Sequence, residues 1–208
     1  MSAIYFPRAY VCLLAVVGCA RLFEMRISRR HQQQLVRLGM RVEPEPGFAL
    51  MVALHAAILV GSAVEVVVGH RALIPAVAIP AALSFLAANG LRLWVIQTMA
   101  SHWNVRVMNT VSLGVVTDGP FRFVRHPNYV AVFVELLALP LIHGAYGTAL
   151  VGGIVHAIVL GNRVRLEEGM LFGSAAYREA MAEKPRFLPH VFAKRSVLEN
   201  LPPDRGDA

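Results

Sequence analysis

The sequence predicts an all-α integral membrane protein with about five transmembrane helices, a helical hairpin and a cytoplasmic C-terminal amphipathic helix. Three observations predict it. Apolar residues make up 56% of the 208 and the mean hydropathy is +0.55, whereas soluble domains are roughly 45 to 50% apolar. Apolar runs at about 3–24, 48–69, 72–98, 128–143 and 145–162 approach or exceed the roughly 20 residues that cross about 30 Å of hydrocarbon. Of the 20 Lys and Arg, 17 fall in three connections, with five in 26–46, four in 92–127 and eight in 163–208. If these connections are all cytoplasmic, five spans alternate consistently, with the N-terminus outside and the C-terminus inside. The net charge of +7 and pI near 10.1 are then a topology signal and give no reason to expect nucleic acid as a partner. Two lysines against eighteen arginines fit a GC-rich bacterial source, and hence a bacterial plasma membrane.

The elements follow in order. The first run has no small-residue cleavage site before its charged flank Arg21-Leu-Phe-Glu-Met-Arg26, so it reads as a retained helix and not a signal peptide. Cys12 and Cys19 lie within it, seven residues or about 10 Å of helix rise apart, beyond disulfide reach. They read as lipid-facing or core-facing thiols, and no metal site is expected. His55 and Glu65 in the second run are expected to be satisfied interhelical contacts. Pro75 and Pro80 in the third and Pro140 in the fourth are expected to bend their helices. His143-Gly-Ala-Tyr-Gly147 joins the last two runs into a hairpin. Segment 99–127 is too polar to span, and too rich in aromatic and β-branched residues to be a free linker, so it is expected to pack at the membrane face. Past 162 the pattern Asn-Arg-Val-Arg-Leu-Glu-Glu reads as an amphipathic helix leaving the bilayer, and 201–208 as a disordered tail. Residues 1–200 thus form one domain, with its polar segments within 92–190.

Three polar clusters carry the candidate chemistry: Arg122 to Tyr129, Arg163 to Glu168, and Tyr177 to Pro189. Pro127 is placed to open a helix, which holds Arg125 and His126 at an electropositive N-terminus suited to a carboxylate. Positive-inside anchoring explains the same residues equally well. A histidine at a helix start beside a loop is expected to contribute little core packing. His156, Leu160, Arg163 and Glu167 follow i, i+4, i+7, i+11, so one face of the fifth helix runs from a buried histidine to a charged pair. An exposed i,i+4 ion pair is the competing account of Arg163 and Glu167. Glu135 lies about two turns into the fourth span, where an ionisable group costs roughly 2.5 to 3.5 kcal/mol. It reads as a functional residue or as a structural partner of Asn104 or Arg106. Dinucleotide-binding, Walker, zinc-protease and nucleophile-elbow signatures are all missing.

Arg125-His-Pro-Asn-Tyr129 opening a hairpin, then Arg163-Val-Arg-Leu-Glu-Glu168, Tyr177 and Arg186-Phe-Leu-Pro189, resemble the isoprenylcysteine carboxyl methyltransferase family of membrane S-adenosylmethionine enzymes. The likeness covers roughly 90–190. In the front half, Arg21-Leu-Phe-Glu-Met-Arg, Leu54-His55, Glu65, Leu91-Arg-Leu-Trp94 and His102-Trp-Asn-Val-Arg106 resemble the bacterial branch that methylates alkylpyrones and alkylresorcinols. Ala180 departs from the pattern, since the family usually carries a second tyrosine there. The resemblance implies methyl transfer from S-adenosylmethionine to an oxygen of a lipophilic acceptor reached from the membrane lipid. It implies a cofactor pocket of His126, Pro127, Tyr129, Glu167, Glu168, Tyr177, Arg186 and Pro189, and it puts Arg163 and Glu167 beside cofactor and acceptor as catalytic candidates, to which Glu135 is added for its depth in the fourth span. Two rivals remain open: a membrane NADPH-dependent reductase of related architecture, and a non-enzymatic small transporter or scaffold.

Overall fold

A computed structural model describes residues 6–189, and these are all-helical apart from one isolated bridge between Val42 and Met108. Six α-helices are formed: α1 (Pro7–Arg37), α2 (Phe48–Val68), α3 (Pro75–Met99), α4 (Pro127–Leu141), α5 (Tyr146–Leu171) and α6 (Ala175–Met181). The predicted helical class and the hairpin are both present. Three helices are long and apolar enough to cross a membrane: α2, α3 as extended by its 3₁₀ turn to His102, and α5. The two other predicted spans differ. α4 has 15 residues, about 22 Å of rise, and α1 runs far past the predicted boundary, carrying Arg8, Arg21, Glu24 and Arg26 along its length.

Burial is distributed as in a lipid-embedded bundle. The outward faces carry large apolar side chains, among them Val16 and Phe23 on α1, Val60 on α2, Leu83 on α3 and Leu150 and Ile158 on α5. The interior holds polar groups, including Ser62, Arg92, Glu135 and His156. Such groups are costly in hydrocarbon unless turned inward. α4 packs between α3 and α5 and supplies buried Ala131, Leu136 and Leu139. Its short apolar sequence therefore faces mainly protein. Cys12 and Cys19 are free and exposed on α1, which matches lipid-facing thiols.

Prolines divide by position. Pro75 and Pro127 occupy the first turns of α3 and α4, where the missing N–H has no helical partner to lose. Pro75 therefore opens a helix, contrary to the expected bend, while Pro80 and Pro140 are inside theirs. The hairpin turns at Gly144, whose φ of +75° favours glycine. Glu65 stabilises the far side of that turn by accepting from the Gly147 and Thr148 amides at 3.1 and 2.8 Å. It is the interhelical contact the sequence predicted, set at the N-terminus of α5.

α2 and α5 approach closely at Gly152, where an added Cβ would lie 2.8 Å from Ile58 Cγ1. Small residues at such crossings let backbones meet. Gly152→Val is expected to cost about 1 to 3 kcal/mol through overpacking. Thermal unfolding in detergent reads this loss, and Ile58→Ala in the same chain should recover part of it.

The C-terminal region differs in its boundaries. Residues 163–168 continue α5 without a break, and the separate short helix after it is α6. The predicted disordered tail at 201–208 lies outside the described residues.

Candidate active site

Pro127 opens α4 with His126 as the residue before its first turn. The chain leading into it is pinned by backbone pairing. The amides of Arg125 and His126 donate to the carbonyls of Pro185 and Arg186 at 2.9 and 3.0 Å, which joins the first and third polar clusters. The second cluster completes the join. Glu168 accepts from His126 Nε2 at 3.2 Å and from Arg186 Nη2 at 2.7 Å, with Arg125 at 3.5 Å. One buried carboxylate thus faces three cationic or donor groups, so charge neutralisation holds the three clusters together.

His126 itself is only 4% exposed and stacks on Tyr129 with ring centroids 5.3 Å apart. It is a packed residue, contrary to the expectation of a loosely held one, because the 185–186 segment and α5 close over it. Its substitution disturbs structure as well as any ligand.

Tyr129, one turn on, links α4 to α5. Its hydroxyl donates to Glu167 and accepts from Arg163 Nε at 2.9 Å. The anticipated face of α5 is present, with His156, Leu160 and Arg163 all buried, but the charged pair at its end is not formed between Arg163 and Glu167. Arg163 pairs with Glu45 at 2.9 Å and also donates to Met51 Sδ at 3.0 Å and to the Val105 carbonyl. Glu45 accepts from the Val107 amide at 3.4 Å as well. Arg163 therefore ties α5 to α4, to the loop before α2 and to segment 99–127. Sequence reasoning missed Glu45, which lies in Glu43-Pro-Glu-Pro46 with no periodicity to mark it.

These residues border two cavities of opposite character. The first, about 140 Å³, is the more polar and is lined by His126, Pro127, Tyr129, Arg163, Glu167 and Tyr177, together with Trp103, Asn128 and Arg125. The second, about 320 Å³, is largely apolar and runs between α1, α2, α4 and α5 past Met51, Leu59, Val132 and Leu160. Trp103, Asn128, Tyr129 and Arg163 line both. The two spaces meet at the Tyr129–Arg163 bond.

Three predicted cofactor residues, Glu168, Arg186 and Pro189, do not line the polar cavity. Glu168 and Arg186 stand behind His126 and fix it, while Pro189 is exposed. Glu135 is apart from Arg163 and Glu167. It lines the apolar cavity and pairs with Arg21 at 2.7 Å, so its structural partner is neither Asn104 nor Arg106. Asn104 bonds instead to Ser28, at 3.1 Å. Arg21 and Arg92 share Glu24 at 2.6 and 2.5 Å, giving a buried network of two arginines and two carboxylates on α1, α3 and α4. Among the described residues, no cluster of three or more His, Cys, Asp or Glu is placed to hold a metal.

A match to a known family now adds to this geometry. Residues 80–173 match the model of the isoprenylcysteine carboxyl methyltransferase (ICMT) family. The matching segment runs from Pro80 inside α3 through the α4–α5 hairpin to Gly173, so it contains His126, Tyr129, Arg163, Glu167 and Glu168. ICMT enzymes are methyltransferases, and the cofactor general to that family is S-adenosylmethionine. The chain is also 26% identical over 162 residues to a Bacillus subtilis protein described as uncharacterized protein YpbQ, covering 76% of this chain and 94% of the relative. A Haemophilus influenzae protein, described as uncharacterized, is 26% identical over 163 residues, covering 78% and 92%.

Tyr177 completes the polar cavity from α6. Burial, reinforced by the negative charge of Glu167, pushes its hydroxyl up to about 12. A raised value favours the neutral phenol, so Tyr177 keeps its proton at physiological pH. Tyr177→Phe is accordingly expected to leave the shape of a pH–rate profile between about pH 6 and 9 unchanged. A lost or displaced limb in that profile would contradict this assignment.

Proposed function

We propose that this protein transfers a methyl group from S-adenosylmethionine to an oxygen of a lipophilic acceptor. The observation that carries the reading is the meeting of a polar and an apolar cavity at Tyr129 and Arg163, inside the segment that matches ICMT. The polar cavity suits a zwitterionic amino acid attached to a nucleoside. It offers unpartnered buried donors at Arg125 Nε and Trp103 Nε1 and an unpartnered acceptor at Asn128 Oδ1. Arg125 and the N-terminus of α4 complement a carboxylate, Glu167 complements an ammonium or ribose hydroxyls, and Trp103 and Tyr177 provide aromatic surface. The bound cofactor supplies an electrophilic methyl on a sulfonium.

The chain's residues then provide proximity and alignment, the dominant need of an in-line displacement. The apolar cavity holds the tail of the acceptor, and the junction fixes its oxygen against the polar cavity. An acceptor bearing a phenol or enol, as in an alkylresorcinol or alkylpyrone, suits the junction better than the carboxylate of a prenylcysteine. A carboxylate would call for a free guanidinium fork, and Arg163 is already committed to Glu45, Tyr129, Met51 and Val105. The reading takes α1 and the short α4 as membrane-crossing segments beside the three long helices, and the arginine-rich connections support a site on the cytoplasmic side of a bacterial plasma membrane.

Incubation of the detergent-purified protein with labelled S-adenosylmethionine and a panel of alkylresorcinols, alkylpyrones and prenylcysteines tests the proposal. Label should pass to the phenolic and enolic acceptors, whereas label on none of the panel would contradict it. Topology is tested at exposed position 178. In Arg178→Cys with Cys12 and Cys19 replaced by Ser, the thiol should react with an impermeant maleimide only after cells are opened. Labelling of intact cells would reverse the orientation.

A further inference from the structure

The apolar cavity contains one feature that methyl transfer at the junction leaves unused. His55 on α2 and His156 on α5 both line it, with ring centroids 5.3 Å apart and planes at 87°. His55 Nδ1 lies 2.7 Å from the carbonyl of Met51. A carbonyl only accepts, so Nδ1 carries the hydrogen and Nε2 is left with a lone pair. That Nε2 meets no hydrogen-bond partner among the described residues. His156 is 1% exposed, stacks on Phe133, and has no partner for either ring nitrogen. As a neutral imidazole it offers one donor and one acceptor.

Leaving the buried His156 nitrogens unsatisfied in an apolar interior costs about 1 to 3 kcal/mol each, unless a ligand completes them. The surrounding charges do not do so. Arg21, Arg92, Glu24 and Glu135 line the same cavity and bond to one another, with Arg21 Nε and Glu135 Oε2 left over, and Arg163 is bound to Glu45. Side by side in the cavity stand a fixed lone pair on His55 and a donor and acceptor on His156. A neutral hydroxyl matches that pair, because it can donate to His55 Nε2 while accepting from the His156 N–H. A carboxylate matches it poorly, since it would face the His55 lone pair.

We infer that His55 and His156 form a subsite for a neutral hydroxyl on the lipophilic ligand, separate from the oxygen at the Tyr129–Arg163 junction. The spacing supports this. His55 is one turn of α2 beyond Met51, the residue that touches Arg163, or about 6 Å of rise, which is about one aromatic ring deeper than the junction. The ligand class is therefore an alkylated ring with a second hydroxyl across from the first. As a claim about acceptor specificity the inference rests on the proposed function, but its test reads binding alone.

The probes are dodecylphenol and dodecylhydroquinone, titrated by calorimetry into the full-length protein in detergent without cofactor. The diol is expected to bind at least tenfold more tightly to the wild type. His55→Phe and His156→Phe should each bring the two probes to within about threefold of each other, while both variants keep the wild-type melting temperature to within a few degrees. Equal affinities in the wild type, or a tenfold preference surviving both substitutions, would overturn the subsite. If His156→Phe fails to fold, His55→Phe and His55→Gln decide it, since His55 is half-buried and its removal leaves no charge unpaired. Failure of cofactor binding with the preference intact would count against methyl transfer and leave the hydroxyl subsite standing.

Discussion

Arg163→Met should destabilise the protein by about 3 to 5 kcal/mol, the range for removing one partner of a buried ion pair. Arg163 is 8% exposed and the Glu45 side chain 5%, so the substitution strands a carboxylate away from water. It also deprives the Tyr129 hydroxyl of its donor and frees the Val105 carbonyl. The effect should appear first as a lowered melting temperature in detergent. Glu45→Gln in the same chain should return a substantial part of it, because the stranded charge is gone. An exposed i,i+4 pair, the simplest reading of Arg163 and Glu167 from sequence, would lose at most about 1 kcal/mol. A wild-type melting temperature for Arg163→Met would therefore remove Arg163 from the centre of the bundle.

Glu167→Gln should preserve the fold and lower kcat/KM for S-adenosylmethionine by roughly tenfold or more, equivalent to at least about 1.4 kcal/mol of transition-state binding. Glu167 is partly open to the polar cavity, with 26% of its side chain exposed, and its protein partners are the Tyr129 hydroxyl and, at 4.0 Å, His126 Nδ1. An amide can still accept from Tyr129 but no longer neutralises a cationic ligand group. The loss should fall mainly on the apparent KM for S-adenosylmethionine, with acceptor dependence little changed. Near-wild-type values on both substrates would exclude Glu167 from the site.

The two substitutions also mark what the sequence could and could not disclose. Apolar run length and the Lys and Arg asymmetry were enough for the helical class. The 3.6-residue period was enough to put His156, Leu160 and Arg163 on one buried face. Pro127 disclosed the start of α4 because proline tolerates a first turn and little else in a helix. Tertiary partners were not legible. Spacing within one helix proposes Glu167 as the partner of Arg163, whereas the chain supplies Glu45 from a proline-rich loop more than a hundred residues earlier. Glu135 was rightly conspicuous as an acid in an apolar run, yet its partner Arg21 sits on α1, and no local pattern connects the two. The burial of His126 depends on Pro185 and Arg186 accepting from the amides of Arg125 and His126, a contact that crosses the chain. Where periodicity governs, the sequence could be read directly, and where loops bring distant charges together it could not.

The most direct test of a cofactor site at Tyr129, Glu167 and Tyr177 is equilibrium binding of S-adenosylhomocysteine to the purified wild-type protein, with NADPH as comparator and Glu167→Ala as control. The thioether product should bind saturably and raise the melting temperature, NADPH should do neither, and Glu167→Ala should weaken binding at least tenfold. Stabilisation by NADPH without any by S-adenosylhomocysteine would contradict the account and point to reductase chemistry in the same cavity.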